Sequence, residues 1–156
     1  IRKRTSGQPM RMHVNEVRVL ARLEHPHVVQ LLGIVDSSAQ LDILLDHCSQ
    51  GCFTAYAPRA DAETLASLIC DLASALVYMH GEMFVHLDVK PDNLLVSASL
   101  AGVLCDLATA TRIGRSRRLT GLIGTPGYRA PEVERGGGAA AYDATKADVW
   151  SFGKVA

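Results

Sequence analysis

Between Asp61 and His80 the apolar residues Leu65, Leu68, Ile69, Leu72, Leu76 and Met79 fall at helical spacing, which sets them on one stripe of an α-helix. Asp61, just ahead of the run, has the short acceptor side chain that satisfies free N–H groups at a helix start. Such a helix owes its stability to whatever covers the stripe. It is therefore predicted to be the most buried element, and the rest of the chain must supply the cover.

The flanking segments are shorter and mixed. From Met12 to Leu23 the apolar residues Met12, Val14, Val17, Val19, Leu20 and Leu23 follow mostly the same rhythm and predict a second helix, broken by His25-Pro26-His27. Val28 to Val35 and Leu41 to Leu45 read as strands on either side of the polar turn Asp36 to Gln40, an antiparallel pair beside one helix. Cys48 to Arg59 is aperiodic, holds Gly51 and Pro58, and reads as a connector between two parts. Beyond the long helix come short apolar pieces, Phe84-Val85, Leu94 to Val96 and Val103 to Cys105, read as strands with loops between them. Arg112 to Thr125 is basic and reads as a flexible, solvated loop, and Arg135 to Ala141 is a low-complexity insert. His25 and His27 flank a turn and need no ligand role. The fold class is α+β.

Composition narrows the functions. With 48% apolar and 21% charged residues the chain is no disordered protein. Sixteen basic residues balance sixteen acidic ones, so no overall positive field exists to hold nucleic acid or an anionic membrane. No apolar run is judged to approach the ~18 to 20 residues of a membrane span, and Ile1 to Met12 lack a secretory core, which gives a cytoplasmic or nuclear expectation. Cys48, Cys52, Cys70 and Cys105 are too scattered for paired zinc ligands and read as reduced thiols, with Cys105 a packed one. The start at Ile1 and the stop inside the apolar stretch Asp148 to Ala156 suggest an excerpt of a longer protein.

Chemistry concentrates in His86-Leu-Asp-Val-Lys-Pro-Asp-Asn93, which sets a carboxylate, an ammonium and a carboxamide in one short loop. That set suits phosphoryl transfer. Asp88 can take a hydroxyl proton and aim the oxygen, Lys90 can neutralise phosphoryl charge, and Asn93 offers an oxygen to Mg²⁺. Asp106, after the strand Val103 to Cys105, adds the hard anionic ligand that Mg²⁺ prefers.

These residues resemble those of the eukaryotic protein kinase family: the loop at 86–93 is similar to its catalytic loop and Asp106-Leu-Ala108 to its metal-binding triplet. In matching order, Gly124-Thr-Pro-Gly-Tyr-Arg-Ala-Pro-Glu132 resembles the end of the activation segment, Asp148-Val-Trp-Ser-Phe-Gly153 the start of the central helix of the large lobe, and Asn15-Glu-Val-Arg-Val-Leu20 the regulatory helix of the small lobe. The resemblance implies a two-lobed, incomplete kinase fold: 1–47 as the remainder of the small lobe, 48–59 as hinge and connector, 60–156 as the first part of the large lobe. It implies ATP and Mg²⁺ as cofactors and a protein substrate offering Ser or Thr. Glu16 would pair with the nucleotide-binding lysine, Asp88 would be the base, Lys90 the phosphate contact, and Asn93 and Asp106 the metal ligands. Asp46 and the Cys48 backbone would meet adenine, Cys52 would lie near the ribose, Leu45 would guard the rear pocket, and Leu95 would join the nucleotide site. Leu20, Leu31, His86 and Leu107 would stack as a spine joining the lobes. Lys90 and Thr125 are similar to the serine/threonine branch, and the Arg2 to Gly7 run with Asn15-Glu-Val to the calcium/calmodulin-dependent and polo-like kinases.

The sequence also departs from the family. It contains no GxGxxG, so the phosphate loop is expected upstream of Ile1, and so is the nucleotide lysine, which leaves Lys3 as a solvated loop residue. Leu87 stands where the family has the arginine that orders a phosphorylated activation segment. In Asp106-Leu-Ala108 the metal ligand is kept, while Leu and Ala replace the Phe and Gly that let the triplet flip. The stretch on its own is expected to be inactive. The competing function is a pseudokinase or a truncated, non-catalytic interaction module.

Overall fold

The computed structural model describes residues 2–4, 10–37, 40–136 and 138–156. The chain opens with β1 (Arg2–Arg4), α1 (Met10–Leu20), β2 (Leu31–Ser37) and β3 (Gln40–Leu45). The three strands form one antiparallel sheet with β3 in the middle. Register sets Lys3 opposite Ile43 and Ile34 opposite Ile43 from the other side. Lys3 is thus a strand residue, which corrects the expected loop. The sequence gave no sign of it because β1 is a three-residue edge strand held by backbone pairing, with no apolar alternation of its own.

The connector is also more ordered than its composition suggested. It contains β4 (Gly51–Cys52), α2 (Phe53–Tyr56) and a 3₁₀ turn (Ala57–Arg59). The Arg59 guanidinium lies over the Tyr56 ring at 4.8 Å and donates to the Gln50 carbonyl, which draws the segment into a compact corner.

Next comes α3 (Ala62–Gly81), with the Asp61 carboxylate accepting the Thr64 N–H at 2.8 Å. Leu68, Leu72, Ala75, Leu76 and Met79 are buried, as the stripe requires. At 20 residues α3 is long and apolar enough, by length and composition alone, to cross a bilayer, which corrects the sequence-based exclusion. One face lies against the hairpin of β6 (Leu94–Val96) and β7 (Gly102–Leu104) and against β5 (Phe84–Val85), while Val77 on the other is 73% exposed, so α3 is covered on one side only and is not the most buried element, which corrects that expectation.

Downstream, β8 (Thr111–Arg112) pairs with β5, and β9 (Arg118–Leu119) with β10 (Tyr142–Asp143); α4 (Pro131–Arg135) lies between β9 and β10, and α5 (Ala144–Val155) closes the chain. The basic stretch at 112–125 is therefore partly strand. The low-complexity insert folds back on it, with the Gly138 carbonyl accepting the Gly121 N–H at 2.8 Å. α5 starts four residues before Asp148, capped by the Asp143 carboxylate.

One apolar cluster runs through both parts of the molecule. Val19, Leu20, Leu23, Val28, Val29, Ile43 and Leu45 join Leu72, Leu76, Met79, Leu94, Leu104 and Leu107. The link is the loop after α1. Leu104 N–H donates to the His27 carbonyl at 2.8 Å, Val29 N–H to the Leu104 carbonyl at 2.9 Å, and Glu24 N–H to the Tyr78 hydroxyl at 2.8 Å. Leu20 and Leu107 are in this cluster with Leu31 packed against it, and His86 is fully buried.

Candidate active site

The loop between β5 and β6 is held in an unusual backbone shape. Leu87 has φ +67°, a left-handed conformation that branched side chains resist. Its N–H donates to Asp148 Oδ1 at 2.8 Å and that of His86 to Asp148 Oδ2 at 2.8 Å, from a carboxylate with no exposed surface. His86 Nε2 donates to the Cys105 carbonyl at 2.9 Å while Nδ1 accepts the Asp88 N–H at 3.2 Å. The imidazole thus ties this loop to the residue before Asp106, which itself has φ +59°.

Asp88 is the centre of a closed set of bonds. Lys90 Nζ donates to its Oδ2 at 2.8 Å, Thr125 Oγ1 to its Oδ1 at 2.6 Å, and Lys90 Nζ also to Thr125 Oγ1 at 2.7 Å. Asn93 Nδ2 donates to the Asp88 carbonyl at 2.8 Å, so its Oδ1 is the atom left to offer a cation. Burial pushes the Asp88 carboxyl up, but the bonds from Lys90 and Thr125 outweigh it and hold the group below its ordinary value. A carboxylate so held is ionised at neutral pH and suited to orienting a hydroxyl more than to stripping its proton early.

Next to this set lies a cavity of about 310 Å³ lined by Val29, Leu45, Asp46, Asn93, Leu95, Cys105 and Asp106. It unites five of the residues singled out in the sequence: Leu45, Asp46, Asn93, Leu95 and Asp106. Asn93 also bonds to Asp88 and so joins the cavity to the loop between β5 and β6. Cys48 and Cys52 are outside the lining. Cys48 is buried, its thiol pushed up by burial and by the Asp46 charge, and its carbonyl accepts the Gly51 N–H at 3.3 Å in a turn; Cys52 pairs with Leu95 across β4 and β6. Glu16 lies on α1, 1% exposed, away from the lining. Val29 and Cys105 were not singled out as cavity residues, although each adjoins a residue that the patterns marked. Asn93 and Asp106 give two oxygen ligands on one wall, which fits an ion that keeps water and shares phosphate oxygens more than a full protein cage. Among the described residues no group of three or more His, Cys, Asp or Glu side chains could hold a metal by itself.

The activation-segment end packs onto this loop. Gly124 has φ +96°, and a Cβ there would lie 2.4 Å from the Leu87 carbonyl oxygen, so only glycine allows the approach. Arg129 Nε donates to the Gly124 carbonyl at 2.8 Å and its Nη1 meets Glu134 at 3.3 Å.

The protein kinase domain family matches residues 1–156, and the chain belongs to that family. It is 33% identical over 158 residues to an L-type lectin-domain containing receptor kinase V.9 of Arabidopsis thaliana, covering 95% of this chain and 23% of that protein. It is 31% identical over 143 residues to the maternal embryonic leucine zipper kinase of Danio rerio, covering 88% and 21%. Against sperm motility kinase 3A of Mus musculus the identity is 28% over 145 residues, covering 91% and 28%. The chain therefore spans about a quarter of the length of these relatives.

Proposed function

We propose that this chain is the core of an ATP- and Mg²⁺-dependent protein kinase that phosphorylates Ser or Thr. The observation that carries the reading is the Asp88–Lys90–Thr125 triangle joined through Asn93 to the cavity at Asp106. Asp88 orients the acceptor hydroxyl in line with the γ-phosphorus and takes its proton as the new O–P bond forms and the bond to the bridging β,γ-oxygen breaks. Lys90, 2.8 Å from Asp88, bears on the phosphoryl charge as it moves. Asn93 and Asp106 would hold Mg²⁺, which supplies neutralisation of the phosphate oxygens when bound. Val29, Leu45 and Leu95 make the apolar walls an adenine ring needs.

Glu16 keeps its family role in this reading, which its burial on α1 supports, since a carboxylate 1% exposed is held only with a partner. Serine/threonine specificity is supported by Thr125, whose hydroxyl closes the triangle. We read residues 1–156 taken alone as inactive, because their sequence holds no glycine-rich backbone cradle for the triphosphate.

The test is Asp88→Asn in the longest form that the gene encodes, assayed against serine, threonine and tyrosine peptides. Phosphoryl transfer to Ser and Thr is expected to fall by orders of magnitude with ATP affinity nearly intact. Turnover that survives the change refutes the assignment, and phosphate found on tyrosine alone refutes the specificity.

A further inference from the structure

Three arginines meet in one small concavity outside the cavity at Asp106. It has a volume of about 170 Å³ and is lined by Asn15, Arg18, Val19, Arg22, Phe84 and Arg112. The arginines come from separate places. Arg18 is in the last turn of α1, Arg22 in the turn that follows, and Arg112 on β8, where it stands opposite Phe84 of β5. All three are exposed, while Val19 and Phe84 are only 3% and 6% exposed and give the concavity an apolar floor. Asn15 donates its amide nitrogen to the Ala108 and Ala110 carbonyls, at 3.3 and 2.9 Å, which fastens the α1 wall to the chain leading into β8.

No carboxylate lines this concavity. The guanidinium groups of Arg59, Arg118 and Arg129 each donate to a partner, but among the described residues those of Arg18, Arg22 and Arg112 have neither an ion pair nor a hydrogen bond. Arg18 and Arg22, four residues apart, repel each other, and Arg112 adds a third like charge; an anion between them turns that repulsion into attraction. The patch is also bounded. On the far side of Arg22 the next concavity carries Glu24 and Glu82. In the other direction a concavity of about 580 Å³ shares Arg112 and adds Met83, Ile113, Gly114 and Arg115, again without an acid. Leu87, at the position of the family's phosphate-ordering arginine, lines neither, so this is a separate place on the molecule.

Guanidinium groups bind phosphate oxygens through paired, parallel hydrogen bonds, and clusters of them hold phosphorylated side chains. A long polyanion would run onto Glu24 and Glu82, and the sixteen acidic residues that balance sixteen basic ones give it no wider positive face; a single phosphate meets neither obstacle. Beside Arg112, Met83 and Ile113 offer apolar surface to a residue next to that phosphate. We propose that Arg18, Arg22 and Arg112 form a docking site for a phosphorylated segment of a partner protein, with the phosphate between the three arginines and a neighbouring apolar side chain over Met83 and Ile113. None of these residues belongs to the catalytic set, so the inference stands apart from the kinase reading.

The test is fluorescence anisotropy with the longest form that the gene encodes and two labelled peptide pools that differ only at the centre, phosphoserine-leucine in one and serine-leucine in the other. The phosphoserine pool is expected to bind at least about tenfold more tightly, and to weaken as salt is added. Arg18→Ala and Arg112→Ala should each weaken it about tenfold, the usual consequence of losing a hydrogen bond to a charged group, and Arg112→Lys, which keeps the charge and loses the fork, by less. Equal binding of the two pools, no binding of either, or phosphoserine binding that both alanine variants leave unchanged overturns the proposal. Vesicles containing phosphatidylserine are the third probe: binding to them that the variants abolish, with none to the phosphoserine pool, overturns it in favour of a lipid surface. Should Arg112→Ala not fold, Arg22→Ala takes its place with the same expected loss.

Discussion

Replacing Thr125 by Val keeps the shape of the side chain and removes one hydroxyl that does two jobs. Its oxygen donates to Asp88 Oδ1 at 2.6 Å and accepts from Lys90 Nζ at 2.7 Å. The Asp88 and Lys90 side chains are only 13% and 20% exposed, so water replaces the lost group poorly. A hydrogen bond to a charged group contributes about 1.5–3 kcal/mol, which corresponds to about a ten- to hundredfold fall in kcat if the whole effect lies in aiming Asp88. The pH profile should move as well. In the unaltered protein burial raises the Asp88 carboxyl and the bonds from Lys90 and Thr125 lower it further than that, so the net direction is down. Removing one of the lowering bonds raises the group, and activity that needs the carboxylate is then lost at a higher pH on the acid side. The sign for stability is the same: a depressed carboxyl contributes stability above its unfolded value and loses it as pH falls through the folded one, and the variant has less of it to lose. The assay is steady-state phosphorylation of a threonine peptide across acid to neutral pH, with Thr125→Ser as the control that keeps the hydroxyl. Thr125→Val with unaltered kcat and an unmoved acid limb would refute the role of the triangle.

Asp106→Asn replaces the carboxylate proposed to hold Mg²⁺ by a neutral amide and should weaken Mg²⁺-dependent ATP binding, seen as a higher Mg²⁺ requirement in titration calorimetry; equal dependence in both proteins would exclude Asp106 as a ligand. Gly124→Ala drives a Cβ to 2.4 Å from the Leu87 oxygen, whereas Gly127→Ala, also at positive φ (+88°), meets nothing within 4 Å. Gly127→Ala should therefore show only the backbone penalty of about 1–2 kcal/mol in denaturant unfolding, and Gly124→Ala a larger loss together with reduced kcat. Thr120→Ala is expected to leave turnover within a few-fold, because Leu87 offers no cation to a phosphate and the segment is already held by the pairing of Arg118-Leu119 with Tyr142-Asp143. A collapse rescued by Thr120→Glu would contradict this.

What the sequence made legible was local. The stripe of α3 and its Asp61 cap follow from residues within one or two turns of each other, and the order of Asp88, Lys90 and Asn93 lies within a single loop. The partners that fix those residues were not legible, because they come from far along the chain. Thr125 is 37 residues from Asp88, and Asp148 is 61 from Leu87. No periodicity encodes such pairs; they exist only once α5 and the activation segment have packed. The same holds for Lys3 and for Arg118-Leu119. Each lies in a basic run with no alternation, and backbone pairing with a distant strand makes it a strand. The turn in which the Cys48 carbonyl accepts the Gly51 N–H was not legible either, because Cys48 to Arg59 has no periodicity.

The hydrogen bonds that tie the His27–Val29 loop to Leu104 act as a pin set behind the jaws of the cleft. Val29 lines the cavity and is bonded to Leu104, two residues from Asp106, so these two points of the wall travel together in any opening movement. Asp46, just after β3, is tied to the same stretch, since its N–H donates to the Gln30 carbonyl at 3.2 Å, one residue from Val29. The rim of the cavity at Asp46 and its wall near Asp106 are therefore coupled through four residues of backbone, His27 to Gln30, and a ligand that pushes on one end loads the other.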